Sequence, residues 1–330
     1  MRAQQALTYA AERPRNVLVH LSRNRSRPLS LRQRVALSMV GFGVVTGALV
    51  AELAGRRGQF TAALHAAPLW TLGLAVLLAV VALLARTEAW FLCLRAAGAT
   101  VGRRMLFRAA GVGYLASVLN GSLGVAARIT SLRRSAGGSV PRVPALLAAE
   151  VPIITVEITL VALFSFTLIS PLRLPWWIPL IAVLVTGSAV FALRRFSQRH
   201  RAGLWAGLAA MHSGRGRMVV LVLVAVCCQI ARNWLILQAI GVHISVFDAM
   251  ALLIAMFTLG QIPVGPSLGA AATVLILGSH GVALAAAAGV MLTATGTIGS
   301  LTYATWAVAD RVFAGRITVA PDVAVAPVQA

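Results

Sequence analysis

The chain has 330 residues, 59% of them hydrophobic and only 11% charged, with a mean hydropathy of +0.87. No soluble core could bury so much apolar sequence, which excludes a soluble globular or disordered protein and points to the membrane. The net charge of +21 comes from 29 basic residues, all arginine, and these punctuate apolar runs instead of sharing a surface with aromatic platforms; nucleic acid is thereby excluded as a partner.

Residues 1–34 carry eight arginines and one acid, Glu12, and read as a basic cytoplasmic tail. Such a tail suits anionic lipid headgroups, or serves simply as a solvated orientation signal. The apolar run 35–54 is of spanning length and has no clean small-residue cleavage site after it, so a retained anchor is expected and not a signal peptide. Further runs near the roughly 20 residues needed to span occur at 68–85, 144–169, 175–193, 218–240 and 281–309, giving about six full spans in an all-α, polytopic integral membrane protein. From 311 to 330 the chain reads as a flexible tail rich in Ala, Val and Pro.

Two further apolar segments contain helix breakers and share one pattern, SLGxAA. The first copy begins at Ser122 after Asn120 and Gly121; the second begins at Ser267 after Pro263, Gly265 and Pro266. Paired interruptions in the two halves of a membrane chain point to a transporter-like site. If every apolar segment crossed fully, the loop holding Arg128, Arg133, Arg134 and Arg142 would lie outside, against the positive-inside rule. A re-entrant segment over 107–126 entering from the cytoplasm, and another over 247–278 entering from the outer face, remove that conflict. Both termini are then cytoplasmic at the plasma membrane, and the two elements enter as inverted repeats do. Irregular backbone at membrane depth must be buried in protein or face a cavity, so both elements are expected to line one.

Four charges stand within or beside apolar runs. Glu150 and Glu157 are seven residues apart in 144–169, which places them on one helix face roughly 10 Å apart, with Pro152 between them expected to kink the helix. Two roles fit them: a proton or cation relay, or ion-pair partners for Arg128 or Arg232. Arg232, flanked by Asn233 and Trp234, sits inside 218–240, and charges at such depth usually face a bundle interior or pathway. Arg128 follows the first SLGxAA copy. If a helix begins at Gly124, its N–H groups and positive dipole end face the same cavity as the guanidinium, an arrangement suited to phosphate. The alternatives are an interfacial arginine for Arg128 and a structural partner for Arg232. Asn120, Gly121, Gly124, Ser267 and Gly269 join these arginines as candidate headgroup contacts, because small residues permit close backbone approach; helix packing explains them equally well.

Cysteine and histidine patterns add no chemistry. Cys93, Cys227 and Cys228 lie in or beside apolar segments, and the six histidines show no metal-ligand spacing, so no disulfide, metal or cofactor is expected. No GxSxG, phosphate-binding loop or dinucleotide fingerprint is present, and an enzyme is not expected.

These residues resemble the flippase-like transmembrane domain of lysylphosphatidylglycerol synthases and their stand-alone relatives. That family has a PGxxGExxR stretch, matched here by Gly121, Gly124 and Arg128, with Asn120 at the proline place and Val125 at the glutamate place. Its second motif, of the form PxSPGGLGxxE, is matched, with one residue deleted after the second proline, by Pro263, Pro266, Leu268 and Gly269, with Gly265 at the serine place and Ala272 at the terminal acid. Glu150 resembles the acid of its ERxxD-like stretch. The resemblance spans about 35–310, and no part of the 330 residues reads as the synthases' separate aminoacyl-transferase domain. It implies movement of an anionic phospholipid between leaflets, with membrane lipids bearing phosphate headgroups as partners. The competing expectation is a non-transporting accessory subunit of a separately encoded lipid- or polyprenyl-phosphate-dependent transferase. No oligomeric state follows from the residues.

Overall fold

The computed structural model describes residues 57–117, 121–136, 143–199, 215–259, 268–277 and 282–317, and among these every regular element is a helix. The basic tail 1–34, the run 35–54, Asn120, Ser267 and residues 318–330 lie outside the described residues.

In chain order the helices are α1 (Arg57–Ala66), α2 (Leu69–Ala96), α3 (Arg103–Ser117), α4 (Gly121–Ala136), α5 (Val143–Ala148), α6 (Val151–Phe164), α7 (Ile169–Leu172), α8 (Trp177–Arg199), α9 (Arg215–Ala239), α10 (Val246–Leu259), α11 (Leu268–Leu277) and α12 (Val282–Ile317). Four stretches are long and apolar enough to cross a membrane: Leu69–Ala96, Leu146–Leu172, Gly216–Ala239 and Val282–Val312. They are consistent with membrane insertion. Trp177–Leu193 falls short of that length.

Helix limits follow local chemistry. Two long helices stop at a glycine with positive φ, α2 at Gly98 (φ 80°) and α9 at Gly241 (φ 81°). In each case the next amide folds back onto the last turn, Ala99 N–H donating to the Leu94 carbonyl and Val242 N–H to the Leu237 carbonyl. Helix α2 thus runs well past the expected end at 85, carrying Arg86 inside it, because nothing from Leu83 to Ala97 breaks a helix. Pro152 does not kink a helix midway. The chain turns at Ala149 and Glu150, and Pro152 falls in the first turn of α6, where its missing N–H has no partner to lose. Helix α12 continues to Ile317, so 311–317 is helical and not part of a flexible tail.

The bundle has two chemically different ends. At one, Glu88 of α2 pairs with Arg103 of α3 (2.9 Å) and Arg217 of α9 (3.6 Å), while Asp310 of α12 accepts from Arg104 and Arg108 of α3. The opposite end is apolar: Ala67, Ile240, Val242, Ile244, Ala249, Leu277 and Ala285 share one core, with Leu168 and Leu172 against it. Trp70, Trp176, Trp177 and Phe247 stand exposed at the helix starts of this second end. Bulky aromatics there and arginines at the other end form the pattern of a membrane protein's two interfaces.

The expected interruptions are two helix pairs. Among the described residues, helices α3 and α4 have 15 and 16 residues, and α10 and α11 have 14 and 10, lengths of about 15–24 Å against roughly 30 Å of hydrocarbon. The first SLGxAA copy is not itself the break: α4 begins at Gly121, before it. In both pairs the shared motif opens the second helix, at Gly121 in α4 and at Leu268 in α11. The first pair starts beside the arginine-rich ion pairs and the second beside the apolar core of the opposite end.

Candidate functional site

Between α2, α3, α4, α6, α9 and α10 lies a cavity of about 380 Å³. Most of its wall is apolar. Its charged groups are Arg86, Arg128, Glu150 and Glu157, joined by the neutral hydrogen-bonding side chains Tyr114, Ser117 and Gln229. Gly124 also lines it.

Arg128 is 8% exposed and forms an ion pair between its Nη2 and Glu150 Oε1. Its guanidinium carbon also lies 4.1 Å from the Trp90 ring centroid, a cation–π contact on a buried aromatic face. Two turns of α4 separate Arg128 from the helix start at Gly121, roughly 10 Å along the axis, so the guanidinium and the positive helix end do not converge as expected for a start at Gly124. A carboxylate and an indole enclose Arg128, so it is not exposed at the protein surface.

Glu157 pairs with Arg86 Nη1 at 2.9 Å, and neither glutamate reaches Arg232. Arg86 is the functional residue that the apolar run 68–85 concealed, since it follows that run directly; the absence of a breaker until Gly98 was the available signal. Among the described residues the charged groups of the cavity are two arginines and two glutamates, joined in two ion pairs. Tyr114 is fastened beside it, its hydroxyl 3.1 Å from Thr87 Oγ1 and donating to the Leu83 carbonyl at 3.3 Å.

Glycines make the α3–α4 contact. A Cβ at Gly124 would lie 2.6 Å from Ser117 Cβ and 2.9 Å from the Gly113 carbonyl, and one at Gly113 would lie 2.7 Å from Arg128 Cβ. Gly124 thus serves close packing and brings Arg128 to the cavity wall. Gly121 and Gly269 are the first and second residues of α4 and α11.

Arg232 is 7% exposed and lies within α9 as expected, but it is not part of the cavity wall that Arg128 shares. Among the described residues no carboxylate pairs with it. Cys227 and Cys228 of the same helix are free thiols, exposed and half-buried, and Cys93 is buried. No family model, curated protein or solved structure matches the chain.

Proposed function

We propose that this protein is a lipid transporter of the membrane, moving a phosphate-bearing lipid between leaflets by passing its headgroup through the paired-charge cavity. The observation that carries this reading is the placement of Arg128: on a helix too short to span, buried at the wall of a 380 Å³ cavity inside an apolar bundle. Buried charge in such surroundings marks a pathway. The resemblance to the flippase-like domain supports the same reading, as do membrane-depth helix pairs that carry one motif at equivalent places.

Because each arginine already has a carboxylate, an incoming phosphate exchanges with one instead of filling a vacant positive site. Arg128 offers bidentate N–H donors to phosphate while Trp90 holds the guanidinium plane, and Glu150 takes a proton or a headgroup amine in compensation. Acyl chains stay in the bilayer against the exposed apolar helix faces. In this reading α3–α4 and α10–α11 are re-entrant from opposite faces, with the arginine-rich end cytoplasmic. The protein is then a carrier and not an enzyme.

Topology is tested by single cysteines in a background lacking the three native ones. Ser135→Cys and Phe247→Cys, both at exposed positions, are expected to react with an impermeant maleimide from opposite sides. Reaction from one side for both would remove the inverted arrangement.

Transport is tested by leaflet exchange of headgroup-labelled phosphatidylglycerol and a polyprenyl phosphate in proteoliposomes. The wild type is expected to exceed protein-free vesicles. The double variant Arg128→Leu/Glu150→Leu, which removes the pair without stranding a charge, is expected to lose at least about tenfold of that rate, equivalent to one charged hydrogen bond of roughly 1.4 kcal/mol. No exchange of either lipid by the wild type would favour the accessory-subunit reading.

A further inference from the structure

Beyond the paired cavity, α9 carries a set of buried polar atoms with nothing to bond. Among the described residues Arg232 Nε has no hydrogen-bond partner, and neither does either side-chain atom of Asn233, a residue with 0% exposure. Helix α9 lines the cavity through Ala225, Val226 and Gln229. Arg232 lies three residues beyond Gln229, about 4.5 Å along the axis and 60° short of a full turn, and Asn233 is one full turn from Gln229. Both side chains therefore lie about one turn from the cavity-lining Gln229 without being part of that wall. On the α12 side the guanidinium packs on Gly296, where a Cβ would lie 3.2 Å from Nη1.

We infer that Arg232 and Asn233 form a second station, separate from the Arg128 pair, that binds a phosphate group with an adjacent hydroxyl. The donor and acceptor count dictates that class. Two orphan donors, Arg232 Nε–H and the Asn233 amide, require an acceptor such as a phosphate oxygen, and the orphan Asn233 carbonyl oxygen requires a donor such as a hydroxyl. Turning the amide over exchanges the two Asn233 atoms and leaves the requirement unchanged. Charge points the same way. Arg128 and Arg86 are neutralised by glutamates, whereas Arg232 has no carboxylate partner among the described residues, so an anion at this station displaces nothing. Hydrogen phosphate and a phosphoglycerol headgroup both carry the required groups. The inference rests on the proposed carriage of phosphate lipids for its lipid source, not for the phosphate chemistry.

The test uses the full chain in phosphatidylcholine nanodiscs, with binding read by radiolabelled inorganic phosphate and by the thermal midpoint in discs with and without phosphatidylglycerol. Saturable binding of either probe is expected, and which one binds identifies the free ion or the headgroup as the source. Arg232→Gln is expected to weaken it at least about tenfold. Arg232→Lys, which keeps the charge but not the guanidinium fork, and Gly296→Ala, which crowds Nη1, are each expected to weaken it partly. The ligand-free midpoint of Arg232→Gln should equal or exceed that of the wild type, because an unpaired buried charge is removed, and this verifies the fold. Unchanged binding in Arg232→Gln, or no binding of either probe by the wild type, overturns the station. Sulfate bound as tightly as phosphate overturns the role given to the hydroxyl. Binding lost in Arg232→Gln without leaflet exchange by the wild type keeps the station and removes transport; exchange together with unchanged binding in Arg232→Gln does the reverse.

Discussion

Glu150→Leu is expected to destabilise the protein by about 3–5 kcal/mol, and adding Arg128→Leu to recover most of that loss. Both side chains are largely withdrawn from solvent, at 13% and 10% exposure, so removing the carboxylate strands a guanidinium in an apolar bundle against the Trp90 face. Removing both partners leaves no stranded charge, and leucines fill comparable space. The measurement is a double-variant cycle on unfolding in mild detergent. Equal losses in the single and double variants would show that the pair contributes through shape and not charge. The same cycle separates stability from transport, because the double variant is expected to fold and not to carry lipid.

Gly124→Ala is expected to cost about 1–3 kcal/mol, although alanine is the better helix former. Its methyl would meet Ser117 Cβ at 2.6 Å and the Gly113 carbonyl at 2.9 Å, one of them backbone that cannot rotate away. The two limbs of the short pair must separate to admit it, and Arg128 moves with α4. Gly73→Ala is the control: a Cβ there meets nothing within 4 Å, and a gain of up to about 1 kcal/mol is expected. Ser117→Gly added to Gly124→Ala should restore part of the loss by removing the nearest clash. Thermal midpoints of the three variants decide the matter; a neutral Gly124→Ala would show that the limbs are not in tight contact.

The all-helical class and the positions of the long helices were legible because apolar run length and breakers act locally. The short α3–α4 and α10–α11 pairs follow from breakers placed within apolar sequence. The local rule misjudged Pro152, since a proline between two acids reads as a kink and becomes a first-turn residue only when the chain has already turned at Ala149 and Glu150. It also cut α2 short at Arg86, because a charge ends an apolar run without ending a helix. The small residues of SLGxAA were legible as permitting close approach, yet which surface they meet depends on α3 lying against α4.

By itself, then, the sequence determined a membrane-type helical chain, its two breaker-marked elements, and which charges lie within or beside apolar runs, all set by composition and by spacing along a single helix. Only the tertiary structure decided how those charges are divided. Arg128 is joined to Glu150 and Arg86 to Glu157, while Arg232 has no carboxylate partner among the described residues, because pairing depends on which helices approach within a few ångströms across the bundle, and no spacing within one helix encodes that distance.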